Sequence, residues 1–503
     1  MKLGIRMRID GLMLNAISKQ IDTAFDEKDE STLQKSIDEI NQLLIDEKIN
    51  SISELILYYN LGNAYSYLDN LRNHRGISLW FYNNTEHINA IKSYRKCIKV
   101  NCSDKKLQND IFMQSYTNLG NMFSESGRII YAINSWQKAL DISPNFGMAQ
   151  GNLGVGLVEY AKSLYDNSHA FLISQKAYFF LSKSIESVDV YTEAKLHFIS
   201  YKEMLESHFS AESLKDEKQF PNYFEGISRQ EMQYRKWALK NSLFLNPLND
   251  IYYDSFVAHD IIHLPNITTS IYEPPKFHGL FNEIKQQYVS ARYMYYSYLQ
   301  QEDDYDKDFS DKDNLLFDTL DYTLYGYKYE LLRNAYKNLY STLDKIAFFI
   351  NGYFELNHTE RSISFNTIWY EEKQKNKAHI KTKIENLTNN PLRGLYYLSK
   401  DFYSYDLEYL SLTDEDAQKL ADLRNCLEHR YVKITQFKNN PVEVERYDAF
   451  AYQITIDEFK RKTKKLLHYV REAIIYLSLA VHINERKKVP TDGKIVPIIM
   501  RKI

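Results

Sequence analysis

Arg424, Asn425, Glu428 and His429, in the stretch ADLRNCLEHRYVKI (residues 421–434), have the types and spacing to act on a phosphodiester. Cutting RNA without a metal requires the ribose 2′-hydroxyl to lose a proton and attack phosphorus. The charge on the phosphorane must be held, and the 5′-oxygen must be protonated as it leaves. Histidine titrates near neutrality and can carry protons, while arginine stays charged and forks onto phosphate oxygens. Asn425 could orient either the phosphate or the imidazole. Glu428 could neutralise Arg424 at rest or hold its angle toward substrate. The plainer alternative makes Arg424 and Glu428 a solvated i, i+4 ion pair and His429 an idle surface residue.

A helix turns by about 100° per residue, which puts Leu420, Leu423, Leu427 and Tyr431 on one apolar stripe. Asn425 and His429 fall nearly opposite it, with Arg424 and Glu428 on its flank, so the polar set faces outward. This helix, expected over residues 414–434, is the third of four long amphipathic patterns after Leu280. The others span 281–300, 324–356 and 456–483. Their lengths and stripes predict a helical bundle. The last begins with Lys460, Arg461, Lys462, Lys464 and Lys465, a basic patch that could bind RNA or be an ordinary solvated face.

The first half repeats itself. In SYTNLGNMFSESGRIIYAINSWQKALDISPN (residues 115–145), Tyr116, Leu119, Gly120, Phe123, Ala132, Trp136, Ala139 and Pro144 hold the offsets of the tetratricopeptide (TPR) pattern. Small residues sit where paired helices cross, aromatic ones fill the space beside them, and Pro144 stops the second helix. Leu153 and Gly154 follow one period of about 34 residues later, with a second helix around Ala177, Leu181 and Ser184. Upstream, Tyr58, Leu61, Gly62 and Tyr65 pair with Ala90, Tyr94 and Cys97 across an insertion, NLRNHRGISLWFYNNT. Flanking helical patterns at 12–25 and 33–44 extend or cap the stack. The chain here resembles TPR proteins over roughly residues 30–215. That resemblance implies a helical superhelix binding a protein or peptide, the alternative being a scaffold that docks only against the rest of the chain.

The second half resembles the HEPN superfamily, whose mark is Arg, four to six residues, then His, often with Asn after the Arg. Arg424-Asn425-Cys426-Leu427-Glu428-His429 matches in order, and Tyr431 matches the extra tyrosine of some toxin members. The resemblance covers about residues 280–490. It implies a metal-independent endoribonuclease giving a 2′,3′-cyclic phosphate at a composite cleft between two copies, hence a homodimer through the bundle. An N-terminal TPR array accompanies one bacterial subgroup. Arg461 and His468 satisfy the loose spacing too, but without the adjacent Asn.

The remaining features bound the reading. With 503 residues, two or three domains are expected. A net charge of −3 supplies no global attraction for nucleic acid or membrane. Arg6, Arg8 and Asp10 interrupt the apolar N-terminus, and no run reaches the roughly 18 apolar residues of a membrane span. Three cysteines offer no disulfide framework. These point to a cytosolic protein. Pro247, Pro265, Pro274 and Pro275 cluster in a proline-poor chain and suggest a connector. Its His259 and His263 share i, i+4 spacing, but no third ligand is evident and Asp260 stands where a zinc-protease helix needs Glu, so no metal is assigned. The acidic stretch at 302–314 lacks the glycine and final glutamate of a calcium loop and reads as a solvated linker.

The expectation is therefore an all-α protein: a TPR-like array (1–225), a connector (226–279) and a HEPN-like bundle (280–503). Arg424, Asn425 and His429 would be catalytic, with Glu428 and Tyr431 supporting. Lys460, Arg461, Lys464 and Lys465 would contact RNA, with no cofactor. Such a protein would be a toxin or antiphage effector restrained until its array is engaged. The alternative is a TPR adaptor whose bundle only dimerises or binds RNA.

Overall fold

The computed structural model describes residues 11–45, 49–73, 82, 84–216, 219–267, 272–301, 308–317, 319, 321–371, 379–402, 415–437 and 450–488. The expectations for the N-terminal stretch (1–10), most of the insertion (74–81 and 83) and the first part of the acidic linker (302–307) lie outside them. The fold is all-α, with seventeen α-helices and two short strands among the described residues. Two compact units divide the chain. Unit 1 is Met1–Lys162, Asp166–Gln219 and Trp369–Gln418; unit 2 is Ser163–Tyr165, Phe220–Ile368 and Lys419–Ile503.

Unit 1 opens with α1 (Gly11–Asp26), α2 (Glu30–Leu44), α3 (Ser51–Asn73), α4 (Thr85–Cys97), α5 (Lys105–Glu125) and α6 (Ile129–Ile142). It continues with α7 (Gly147–Ser163), α8 (Asn167–Glu186), α9 (Thr192–His208) and α10 (Ala211–Lys215). Polar caps start several of them: Asp29, Asn84, Asp104 and Asp166 each accept first-turn amide hydrogens. Adjacent helices pair into hairpins, and the small residues expected at the crossings sit there. A Cβ on Gly62 would lie 2.5 Å from the Tyr94 ring, one on Gly154 would lie 2.7 Å from Leu181 Cγ, and Gly120 lies against the Trp136 indole. Trp136, Ala132, Ala139 and Phe123 are all buried, and the Trp136 Nε1–H donates to the Thr117 carbonyl at 3.1 Å.

Unit 1 also takes residues 369–418, which lie within the expected bundle region of the sequence. Tyr370 and Ile380 form an antiparallel bridge, then α14 (Thr382–Glu385) and α15 (Asn390–Phe402) follow. From Pro391 to Phe402 every residue of α15 is buried.

Unit 2 contains α11 (Arg229–Lys240), α12 (Lys276–Gln300), α13 (Tyr327–Tyr353), the C-terminal part of α16 (Glu415–His429), β1 (Tyr431–Thr435), β2 (Ala451–Thr455) and α17 (Ile456–Arg486). Helices α12, α13 and α17 pack together. The Tyr336 hydroxyl on α13 donates to the Leu420 carbonyl on α16 at 2.6 Å. α17 is long and apolar enough to cross a membrane, but 83% of its apolar window is buried inside the protein.

Part of the expected proline-rich connector is interior: Leu243–Asp250 is buried, and Arg471 binds the Phe244 carbonyl (2.6 Å), the Asn246 carbonyl (2.9 Å) and Asp250 (2.6 Å), whereas Pro274 and Pro275 are exposed. The third long helix ends at His429 rather than at Ile434. Val432, Ile434 and Thr435 are β-branched and adopt a strand, paired in parallel with β2 from Tyr431↔Ala451 to Thr435↔Thr455. Thr323 bridges Thr435 on the other side, antiparallel.

Candidate active site

Helix α16 turns Leu420, Leu423 and Leu427 into the interior and leaves Asn425, Glu428 and His429 exposed, with Arg424 part-exposed. Apolar spacing on one face thus leaves the polar set at the surface, on the last turn and a half of the helix.

Arg424 is held but not consumed. Its Nη1–H donates to the Asn425 side-chain oxygen at 3.2 Å, and Nη2 lies 3.7 Å from Asp344 Oδ2 on α13. The guanidinium carbon stands 5.4 Å from the centre of the Tyr340 ring. About a third of the arginine side chain stays exposed (34%), and of its five N–H donors one is engaged in the hydrogen bond to Asn425. Asn425 thus accepts from the arginine, and the carboxylate facing Arg424 is that of Asp344 rather than Glu428. Burial pushes the Asp344 carboxyl above the ordinary carboxylate range, while the Phe365 amide and Arg424 pull it back in part. No local motif marks Asp344 in the sequence. It is one acid in α13, and only tertiary packing brings it to Arg424.

Tyr431 departs from the expected core position. It lies on β1, is 40% exposed, and its hydroxyl meets that of Tyr325 at 3.1 Å. Partial burial and the Tyr325 hydroxyl push its phenol up to about 12. Next to it, Lys433 is paired with Asp321 at 2.5 Å. Burial opposes that carboxylate, but hydrogen bonds from Lys433, Thr319 and Thr323 outweigh burial and hold it below its usual range.

The basic patch divides. Arg461 and Lys464 on α17 are exposed, and Lys465 is part-buried beside the Tyr469 ring. Lys460 is paired with Asp457 at 2.6 Å. Lys462 points inward, 1% exposed and 3.6 Å from Glu458.

His259 and His263 do not share a helical face, since the chain around them is not helical. Asp260 between them receives both terminal nitrogens of Arg292, at 2.8 and 2.6 Å. A different trio, Asp69, His87 and Glu125 in unit 1, brings potential metal-ligating atoms within 4.8 Å of one another. Its sequence spacing carries no signal, and His87 Nδ1 already lies 3.1 Å from Asp69.

Neither a curated protein nor a solved structure matches the chain. The family described as LA2681-like HEPN matches residues 268–484, a stretch that contains all of α16, and this part of the chain is a HEPN-superfamily domain.

Proposed function

We propose that the protein is a metal-independent endoribonuclease in which Arg424, Asn425 and His429 cut RNA in a cleft shared by two copies. The observation that carries this is the solvent-facing set on the last turns of α16, with Arg424 steadied by Asn425 and Asp344 yet part-exposed. In-line displacement needs a base on one side of phosphorus and an acid on the other. A single His429 cannot occupy both sides, and two copies related by a two-fold axis supply one each. One imidazole takes the 2′-hydroxyl proton, the 2′-oxygen–phosphorus bond forms, and the 5′-oxygen leaves with a proton from the other. Arg424 from each copy holds the phosphorane oxygens. The products are a 2′,3′-cyclic phosphate and a 5′-hydroxyl. Arg461, Lys464 and Lys465 add phosphate affinity along the strand. The N-terminal helices act as a TPR-type array that binds a protein or peptide and restrains the nuclease, as suits a cytosolic toxin or antiphage effector.

One observation favours a second reading. Arg424 already has Asn425, Asp344 and Tyr340 for company, which suits a bundle that dimerises and binds RNA without cutting it. Purified protein with mixed RNA in EDTA separates the two. The nuclease reading expects cyclic-phosphate fragments, lost in Arg424→Ala and His429→Ala variants that remain folded and dimeric. Equal cleavage by all three rejects the site. RNA bound but left intact, with or without the array's ligand, supports the second reading.

A further inference from the structure

Helix α15 is drawn from the stretch that matches the HEPN family, yet it is packed within unit 1. Its attachment there has a charge code. At its C-terminal end Asp401 is gripped by two arginines of the array, Arg95 (2.6 and 2.8 Å, one bond to each carboxylate oxygen) and Arg128 (2.6 Å). All three side chains are at least nine-tenths buried. Near its other end the signs reverse: the Arg393 guanidinium carbon stands 5.7 Å from the centre of the Tyr397 ring, that ring stands edge-on to His87 at 5.6 Å, and His87 Nδ1 lies 3.1 Å from Asp69 and 3.7 Å from Glu125 on the array. Arg393, Tyr397 and Asp401 are four residues apart, so they line one face, and the charges at its ends are separated by about 12 Å. Tyr396 meets Tyr82 edge-on at 5.0 Å. Gly127, at φ +80°, is required in the turn before α6, because a Cβ there would run into the Asn390 carbonyl at the start of α15.

Opposite charges placed at two ends fix register and orientation, which is what electrostatic complementarity gives an interface. A buried ion pair adds little net stability over an apolar contact of the same volume, so its use here suits selection of an occupant.

We infer that the groove holding α15 is the ligand site of the array, that α15 is its built-in occupant, and that the partner it fits is a helical protein segment carrying a cation, an aromatic residue and a carboxylate at successive four-residue steps. Such a segment competes with α15. The inference gives a site and a ligand chemistry to the proposed control by the array, and it is tested without RNA.

A tethered occupant acts at an effective concentration of about millimolar, so a free competitor binds weakly until the resident helix is loosened. The probe is an isotope-labelled synthetic peptide of residues 388–404, offered to the full chain and to the full chain carrying Asp401→Asn. The variant is expected to bind it at least tenfold more tightly than wild type, and a peptide itself carrying Asp401→Asn is expected to bind at least tenfold less tightly. In hydrogen exchange read by mass, the peptide speeds exchange of the chain's own residues 390–402 and leaves α5 and α6 unchanged. A folded variant that ignores the peptide overturns the inference. Should the variant not fold, exchange in wild type decides: α15 opening before α5 and α6 supports an exchangeable occupant, and all three opening together overturns it. RNA cleavage plays no part in these measurements, so their failure and the failure of the nuclease reading are distinguishable.

Discussion

Arg471 and Arg424 sit in opposite surroundings. Arg471 is 2% exposed, binds Asp250 at 2.6 Å and spends its other nitrogens on two backbone carbonyls. Arg424 has the same side chain in the same unit, but its nearest carboxylate is 3.7 Å away and a third of it reaches solvent. A guanidinium built into the interior must have its donors satisfied, because a buried charge left unpaired is costly. One kept for a ligand is held more loosely, with donors in reserve. The contrast separates structural arginines, with Arg292, Arg95 and Arg128 beside Arg471, from the single part-exposed arginine of the motif.

The comparison breaks most visibly under substitution. Arg471→Ala is expected to cost about 3–5 kcal/mol because it strands Asp250, whereas Arg424→Ala costs at most about 1 kcal/mol. Urea unfolding of both variants measures the difference, and equal costs would erase the distinction.

The second expected effect is smaller and lies in unit 1. Gly120→Ala adds a methyl against the Trp136 indole and should destabilise by about 1–3 kcal/mol, even though alanine is the better helix former. An unchanged thermal midpoint would mean the hairpin relaxes freely at its crossing.

The third concerns pH. Asp321 is held below the ordinary carboxylate range in the folded state, where Lys433, Thr319 and Thr323 outweigh burial. A depressed carboxylate contributes stability above its unfolded value of about 3.9 and loses it as pH falls further toward the folded value. The gap in thermal midpoint between wild type and Asp321→Asn should therefore be widest from pH 5 upward and close below about pH 4. A gap independent of pH would show that Lys433 does not hold the charge.

The fourth and smallest is electrostatic. Replacing Arg461 and Lys464 together by glutamine should weaken RNA binding uniformly across sequences. It should also lower the slope of log affinity against log salt by about 0.7 for each phosphate deprived of its cation. Lys462→Gln, altering an inward-facing lysine, should leave that slope unchanged.

Much of the fold could be read from spacing because spacing is local. Gly62, Gly120 and Gly154 lie against Tyr94, Trp136 and Leu181 as the repeat pattern requires, and Leu420, Leu423 and Leu427 face inward as one stripe. Where local signals compete, spacing misleads: the leucine stripe carries the expected helix on into Tyr431, although the β-branched Val432, Ile434 and Thr435 mark a strand. Where the determinant is distant, nothing in the sequence points to it. Asp401 meets Arg95 across 306 positions, and Asp344 reaches Arg424 only because α13 packs beside α16. The placement of the motif at the surface was therefore legible, and the partners that hold it were not.

The most direct test of the central claim follows the ends of the cut RNA. With EDTA present, fragments from the wild-type chain should carry 2′,3′-cyclic phosphate and 5′-hydroxyl ends, and His429→Ala should slow their formation by about 10²–10⁴-fold without altering the fold. Cleavage at the wild-type rate by His429→Ala, or activity that vanishes when metal is chelated, would contradict the account.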